Sequence, residues 1–102
     1  MEFIETPVFS ESWEDIGKDD DALAALQTKL MIQPDAGDLI PRSGGLRKIR
    51  VAAKGKGTRG GARVIYYFHG GDAQIFLLLA YPKNERDDLT RDQLRTLREL
   101  IE

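Results

Sequence analysis

The sequence contains no cysteine and only one histidine, His69, among its 102 residues. The lack of cysteine excludes disulfide bonds and thiolate metal sites, and one histidine makes a metal site built on several histidines implausible. No apolar run approaches the roughly 20 residues that a membrane-spanning helix needs. Residues 1–5 include two acids and lack the cationic start of a secretory signal. We therefore expect a cytoplasmic protein without a metal, a cofactor or a membrane-bound part.

Acidic residues are absent from residues 39–71, a segment that holds eight lysines and arginines. Residues 1–38 have the opposite balance, with ten acids and two bases, although the net charge of the whole chain is only −2. A concentrated positive segment in an otherwise acidic chain indicates a binding surface for a polyanion. The alternative is a solvated basic loop without a binding role, which is less favourable because crowded like charges repel each other.

Length and hydrophobic periodicity predict one α+β domain over residues 1–102. The predicted order is β-α-α-β-β-β-α, with a twisted, mainly antiparallel sheet and the two amino-terminal helices packed on one side. Thr6-Pro7 is typical of a helix start, and Thr90 with Gln93 forms a capping-box pattern. The predicted strands are residues 2–5, 46–52, 63–68 and 75–81, and the predicted helices are residues 7–16, 19–33 and 91–101.

Three segments between these elements are predicted to be connections. Residues 34–45 are expected to be a loop, residues 54–61 a glycine-rich turn and residues 69–72 a hairpin connection. The glycine-rich turn lacks the spacing of a P-loop, so it is either a phosphate cradle of another kind or an ordinary hairpin loop.

Basic residues follow one another across two predicted neighbouring strands and the turn between them. If these strands pair, the cations converge on one face that can bind RNA. Lys83 comes directly after the most buried strand, where it is either a site residue or part of a solvated exit loop. His69 lies beside two glycines at a hairpin tip, so a bystander role is favoured over that of a general base. The basic run consists of Arg47, Lys48, Arg50, Lys54, Lys56, Arg59 and Arg63.

Three spaced blocks resemble the HigB branch of the RelE-like toxins of type II toxin–antitoxin systems. They are residues 44–50 (GGLRKIR), 60–67 (GGARVIYY) and 79–85 (LAYPKNE). The opening at residues 6–9 and the turn at residues 33–38 fit the same pattern. The resemblance covers nearly the whole chain, and the order of the blocks makes it more specific than any single motif.

The resemblance implies a ribosome-dependent mRNA interferase that blocks translation by metal-independent cleavage of messenger RNA. Arg63 matches the strand arginine that stabilises the phosphate in the transition state, and Lys83 the basic residue after the last strand. Lys54 and Lys56 resemble the catalytic lysines of the preceding loop. The tyrosine that some relatives have near the carboxyl terminus has no counterpart, so the general base is left open. The RNA- or ribosome-binding residues are predicted to be Arg47, Lys48, Arg50 and Arg59.

The resemblance also implies a cognate antitoxin, which we expect to be HigA-like with a helix-turn-helix DNA-binding domain. This antitoxin would cover the basic face or block access to the ribosome sterically. Two other functions are kept open by the sequence. One is a ParE-like toxin that inhibits DNA gyrase, and the other is an RNA-binding domain without catalytic activity.

Overall fold

The computed structural model describes residues 1–17, 20–51, 61–83 and 89–101. Within these ranges the chain forms three α-helices and a five-stranded sheet, and none of the helices is long and apolar enough to cross a membrane. The elements are β1 (Glu2–Glu5), α1 (Pro7–Asp15), α2 (Asp20–Ile32), β2 (Asp38–Leu39), β3 (Leu46–Val51), β4 (Ala62–His69), β5 (Gln74–Pro82) and α3 (Arg91–Glu99). A short 3₁₀ turn, Gly70–Asp72, joins β4 to β5.

The strands are arranged in the order β1-β5-β4-β3-β2. β1 pairs with β5 in parallel, and the other neighbours pair in antiparallel fashion. The predicted α+β class and mainly antiparallel sheet are confirmed. The prediction missed β2, which lies inside the expected loop 34–45. Two residues are too few to show hydrophobic alternation, and this strand exists because its backbone pairs with β3.

The start of α1 is fixed by the predicted cap. Thr6 Oγ1 accepts a hydrogen bond from the backbone N–H of Phe9 at 3.1 Å and donates to the carbonyl of Leu77 at 3.1 Å. These bonds join the helix to strand β5 inside the sheet. The rings of Phe9 and Trp13 stack with their centroids 5.5 Å apart and are buried against the sheet. The cap therefore sets where α1 packs.

The sheet has an apolar core on each face. The first face is covered by α1 and α2, as predicted, and its central side chains include Leu30, Val64, Tyr66 and Leu77. We call the second face the α3 face, because Leu94 and Leu97 of α3 pack there against residues of β3, β4 and β5, namely Leu46, Ile65, Leu78 and Tyr81. β5 is thus covered on both sides, as its continuous apolar run predicts.

A β-bulge changes the alternation of β5. Ile65 of β4 lies opposite Leu79, but the next residue, Tyr66, lies opposite Leu77, so Leu78 is the extra residue. Leu78 and Leu79 consequently both contribute to the core of the α3 face. Beyond the bulge, Tyr81 also belongs to this face and lies opposite Arg63.

A buried tyrosine holds the loop between α2 and β2 against the sheet. The hydroxyl of Tyr66 accepts from the N–H of Gly37 at 2.9 Å and donates to the carbonyl of Pro34 at 2.7 Å. Burial raises the pKa of Tyr66, so the hydroxyl keeps the proton that it donates. A Cβ atom at Gly37 would lie 2.7 Å from Tyr66 Cε1, which explains why glycine is needed at this close approach.

We predict that Tyr66→Phe lowers the free energy of unfolding by about 1–3 kcal/mol, because the N–H of Gly37 and the carbonyl of Pro34 lose their partner. Urea unfolding followed by the fluorescence of Trp13, the only tryptophan, measures the change. Tyr67→Phe is the matched control, since the described residues offer its hydroxyl no hydrogen bond. An equal loss in both variants would contradict the assignment.

Candidate nucleic-acid interface

Two arginines lie directly opposite each other near one end of strands β3 and β4. Arg50 of β3 pairs in register with Arg63 of β4, which in turn lies opposite Tyr81 of β5. Arg63 precedes Ile65 by two residues, and side chains two apart on a strand share a face. Both arginines are therefore placed on the α3 face. Like charges directly opposite on neighbouring strands are destabilising, so this register makes the pair a candidate anion-binding site.

The arginine pair, Arg50 and Arg63, has no anionic partner among the residues that the structure describes. Arg63 is half-buried, and its Nε atom is inaccessible to solvent and has no hydrogen-bond partner among the described residues. An unsatisfied buried donor costs folding free energy. The pair, held by β3 and β4, is therefore a candidate site for the oxygens of a phosphate, which the guanidinium groups would bind.

Lys48 adds a third cation to the same face. It lies opposite Ile65 and is two residues from Arg50, so it shares the face of the arginine pair. Of the predicted binding residues, Lys48 and Arg50 are therefore placed beside Arg63.

Lys83 follows β5 at the end of the sheet where Arg63 lies. Its backbone N–H donates to the carbonyl of Gly61 at 3.0 Å, which extends the pairing of β4 and β5 beyond Pro82. Alternation from Tyr81 places the exposed Lys83 on the α3 face, as a diagonal neighbour of Arg63. The backbone thus brings these two predicted catalytic residues to one end of one face.

Arg47 lies on the opposite face of the sheet from the arginine pair. Its guanidinium donates to the carbonyl of Gly37 at 2.9 Å and is 3.4 Å from the carbonyl of Asp35. Arg47 therefore helps Tyr66 to hold the loop between α2 and β2 against the sheet. The structure therefore does not bring Arg47 together with Arg63, and its predicted role in binding RNA stays a prediction.

The remaining predicted residues are placed elsewhere or are not described. Lys54, Lys56 and Arg59 lie outside the described residues. His69 lies at the far end of β4, about 20 Å from Arg63 at ~3.3 Å per residue. Its Nδ1 atom is 3.3 Å from a carboxylate oxygen of Asp72 in the adjoining turn. The structure therefore does not bring His69 together with Arg63, and its bystander role stays a prediction.

A cleft of about 260 Å³ opens on the α3 face between the sheet and the start of α3. Its polar lining comes from Lys48, Tyr81 and Arg91. The apolar lining consists of Ile40, Pro41, Ile65, Leu89 and Leu94. The cleft begins beside the arginine pair, because Tyr81 lies opposite Arg63 and Ile65 is two residues further along β4.

Sequence reasoning assigned no site role to Tyr81 or Arg91. Tyr81 was interpreted as the end of a buried strand, and Arg91 as part of the capping-box pattern. The capping box itself is present, with Thr90 Oγ1 accepting from Gln93 N at 3.1 Å and Gln93 Oε1 accepting from Thr90 N at 2.8 Å. It fixes the residue at which α3 begins, and Arg91 thereby lies at the cleft.

The position of α3 is also held near its other end. Arg98 Nε donates to the carbonyl of Gly44 at 3.1 Å, and its guanidinium carbon lies 5.0 Å from the centre of the Tyr67 ring. Together with the apolar contacts of Leu94 and Leu97, these interactions set the wall of the cleft that α3 forms.

Comparison with known proteins finds one family over most of the chain. The family model described as the RelE toxin of the RelE/RelB toxin–antitoxin system matches residues 18–102. A solved structure of the Escherichia coli toxin RelE in the free state, with two arginines replaced by alanine, is similar with a TM-score of 0.60. The sequence identity is 11%, and the match covers 84% of this chain and 86% of that chain.

We predict that Arg63→Met raises the free energy of unfolding by about 1 kcal/mol, because it removes the charge repulsion with Arg50 and the unsatisfied Nε. Methionine keeps most of the apolar stem. Urea unfolding at low and high salt tests the change, which is expected to shrink at high salt. Arg95→Met is the control, since the Arg95 side chain is 72% exposed and should change little.

Inorganic sulfate provides the second half of this test. Sulfate that binds the arginine pair stabilises the folded state by mass action, so it should raise the unfolding midpoint of the wild type more than that of Arg63→Met. A destabilised Arg63→Met variant, or an equal response of both proteins to sulfate, would show that the pair is not an anion site.

Proposed function

The chain belongs to the RelE family, the toxins of RelE/RelB toxin–antitoxin systems, and from this premise we propose that it is a HigB-like, ribosome-dependent mRNA endoribonuclease. The observation that carries the proposal is the arginine pair on the α3 face. Arg50 and Arg63 have no anionic partner among the described residues, and Lys48 and Lys83 are placed on the same face. These groups provide what a phosphodiester needs for binding and for charge stabilisation.

The proposed reaction uses the RNA itself as nucleophile. The ribose 2′-oxygen forms a bond to the adjacent phosphorus, and the bond from phosphorus to the 5′-oxygen of the next nucleotide breaks. The products are a 2′,3′-cyclic phosphate and a 5′-hydroxyl, and the 2′-hydroxyl proton passes to a base that is still to be identified. A group on the chain or a water molecule then protonates the leaving oxygen. No redox or metal-dependent step is needed.

Arg63 is proposed to stabilise the transition state. Negative charge increases on the non-bridging phosphate oxygens as the 2′-oxygen attacks, and fixed donors aimed at that charge lower the barrier. A planar guanidinium donates two parallel hydrogen bonds to such oxygens. Arg50 lies directly opposite and contributes a second positive charge. Lys83 is proposed to act on the same charge or on the leaving oxygen.

Cationic side chains, rather than a metal ion, are proposed to supply the electrostatic stabilisation. In the described ranges no three histidine, aspartate or glutamate side chains are grouped so that they would hold a metal ion. Arg50 and Arg63 have no acid opposite them on the described strands, although Asp38 of β2 lies opposite Lys48, and this supports a phosphate-binding rather than a metal-binding role for the arginine pair.

The distribution of charge supports an oriented approach to RNA. The acids of residues 1–38 belong mainly to α1, α2 and their flanks, and these helices cover the face opposite to the arginine pair. A polyanion is therefore repelled from one side of the molecule and attracted to the other. This polarity suits a protein that places one phosphate of a long RNA against Arg63.

The proposed partners follow from family membership. A RelE-family toxin is paired with an antitoxin, which we propose to be HigA-like with a DNA-binding domain. It would silence the toxin either by covering the α3 face or by blocking access to the ribosome. The proposed place of action is the cytoplasm, where ribosomes and messenger RNA are found.

We predict that Arg63→Ala lowers mRNA cleavage by about 10²–10³-fold, because the developing phosphate charge loses its donor. Lys83→Ala is expected to lower it by on the order of 10²-fold. Primer extension on a reporter message in a translating extract measures cleavage, and growth after induction measures toxicity. The same message without ribosomes should stay intact.

Arg95→Ala is the control for this experiment, because Arg95 is an exposed cation of α3 outside the cleft lining. It should cleave as the wild type does. Full toxicity of both Arg63→Ala and Lys83→Ala would refute the assignment. A DNA-damage response without mRNA cleavage would indicate a ParE-like gyrase inhibitor instead, and salt-dependent RNA binding without cleavage would indicate a non-catalytic RNA-binding domain.

A further inference from the structure

We propose that the cleft between the sheet and α3 binds a single nucleobase beside the scissile phosphate, and that Arg91 makes it select bases with a carbonyl oxygen on the exposed edge. The inference rests on the proposed ribonuclease function and adds a specificity-determining residue to it. Four features of the cleft support it: its position, its size, its apolar lining and the kind of polar group at its rim.

Position is the first argument. Tyr81 lines the cleft and lies directly opposite Arg63, while Ile65 lines it two residues beyond Arg63, a separation of about 7 Å along the strand. This separation is similar to that between a phosphate and the base of the same nucleotide. A strand of RNA whose phosphate is bound by Arg63 therefore has a base within reach of the cleft.

The size and lining of the cleft fit one heterocycle. Its volume of about 260 Å³ lies below the roughly 300–1,000 Å³ of pockets for drug-sized ligands. Ile65 and Leu94 contribute apolar surface from the sheet and from α3, and Pro41 contributes more from the loop before β3. Unstacked bases of single-stranded RNA have apolar faces that lose water favourably in such a site. A second phosphate would gain nothing from these apolar walls.

The hydrogen-bonding groups that line the cleft determine which base binds best. Arg91 and Lys48 both line the cleft, and arginine and lysine side chains only donate hydrogen bonds. Guanine and uracil present a carbonyl oxygen at the position where adenine and cytosine carry an amino group. An amino group that faced Arg91 would meet a donor instead of an acceptor, which is unfavourable. Arg91 therefore favours guanine and uracil in the cleft.

Arg91 is the residue that tests this inference. It is exposed at the first position of α3, so its replacement should leave the fold intact. Lys48 is less suitable, because it lies beside the arginine pair and belongs to the proposed phosphate-binding face.

The experiment uses the full chain and a set of reporter messages in a translating extract. The messages differ only in the base on each side of one cleavage position, and primer extension gives the cleavage at each. For the wild type we expect a preference for guanine or uracil over adenine or cytosine at one of these two positions. Arg91→Ala should reduce that preference roughly tenfold. Arg91→Glu, which replaces the donor by an acceptor, should shift the preference towards adenine and cytosine.

The control and the contrary outcomes separate this inference from the proposed function. Arg95→Ala, on the same helix but outside the cleft lining, should keep the wild-type preference. If no message is cleaved by the wild type, the proposed function fails. If the wild type cleaves and Arg63→Ala does not, but the Arg91 variants keep the wild-type preference, only the nucleobase site is wrong. An Arg91→Ala variant with normal cleavage that escapes neutralisation by the antitoxin would assign the cleft to the protein partner and overturn the proposal.

Discussion

The register between β3 and β4 is the constraint on which the candidate site depends. It sets Arg50 opposite Arg63, and a slip of one strand by one residue would move the arginine of that strand to the face covered by α1 and α2. The bulge at Leu78 then aligns Tyr81 with Arg63 on β5. Backbone hydrogen bonds thus hold in place two charges that repel each other.

The two apolar cores offset the cost of this arrangement. Leu30, Val64 and Leu77 are fully buried on the face covered by α1 and α2, while Ile65 and Leu46 are fully buried on the α3 face. Each buried aliphatic side chain contributes roughly 1.5–3 kcal/mol, so a few of them outweigh an unsatisfied guanidinium nitrogen and one like-charge pair. α3 has a second role, because the side that packs on the sheet also forms a wall of the cleft.

Much of the fold follows from local signals, and these predictions are confirmed. Thr6 and Thr90 cap α1 and α3, and the long apolar run becomes the doubly covered strand β5. β2 was missed because a two-residue strand depends on its neighbour rather than on its own pattern. For the site, the basic run indicated the surface but not its arrangement. Alternation is imperfect in Leu46–Val51, and only the register shows that Arg47 is directed away from Arg50 and Arg63.

The sequence by itself determined the helices, the four longer strands, the polarity of charge and the resemblance to RelE-like toxins, because helix caps, hydrophobic periodicity and charge counts are local properties. Only the tertiary structure decided which cations share a face, because strand register, the bulge at Leu78 and the docking of α3 join residues far apart in the chain. Tyr81 and Arg91 carry no sequence signal of their own. They belong to the cleft because β5 and α3 meet there.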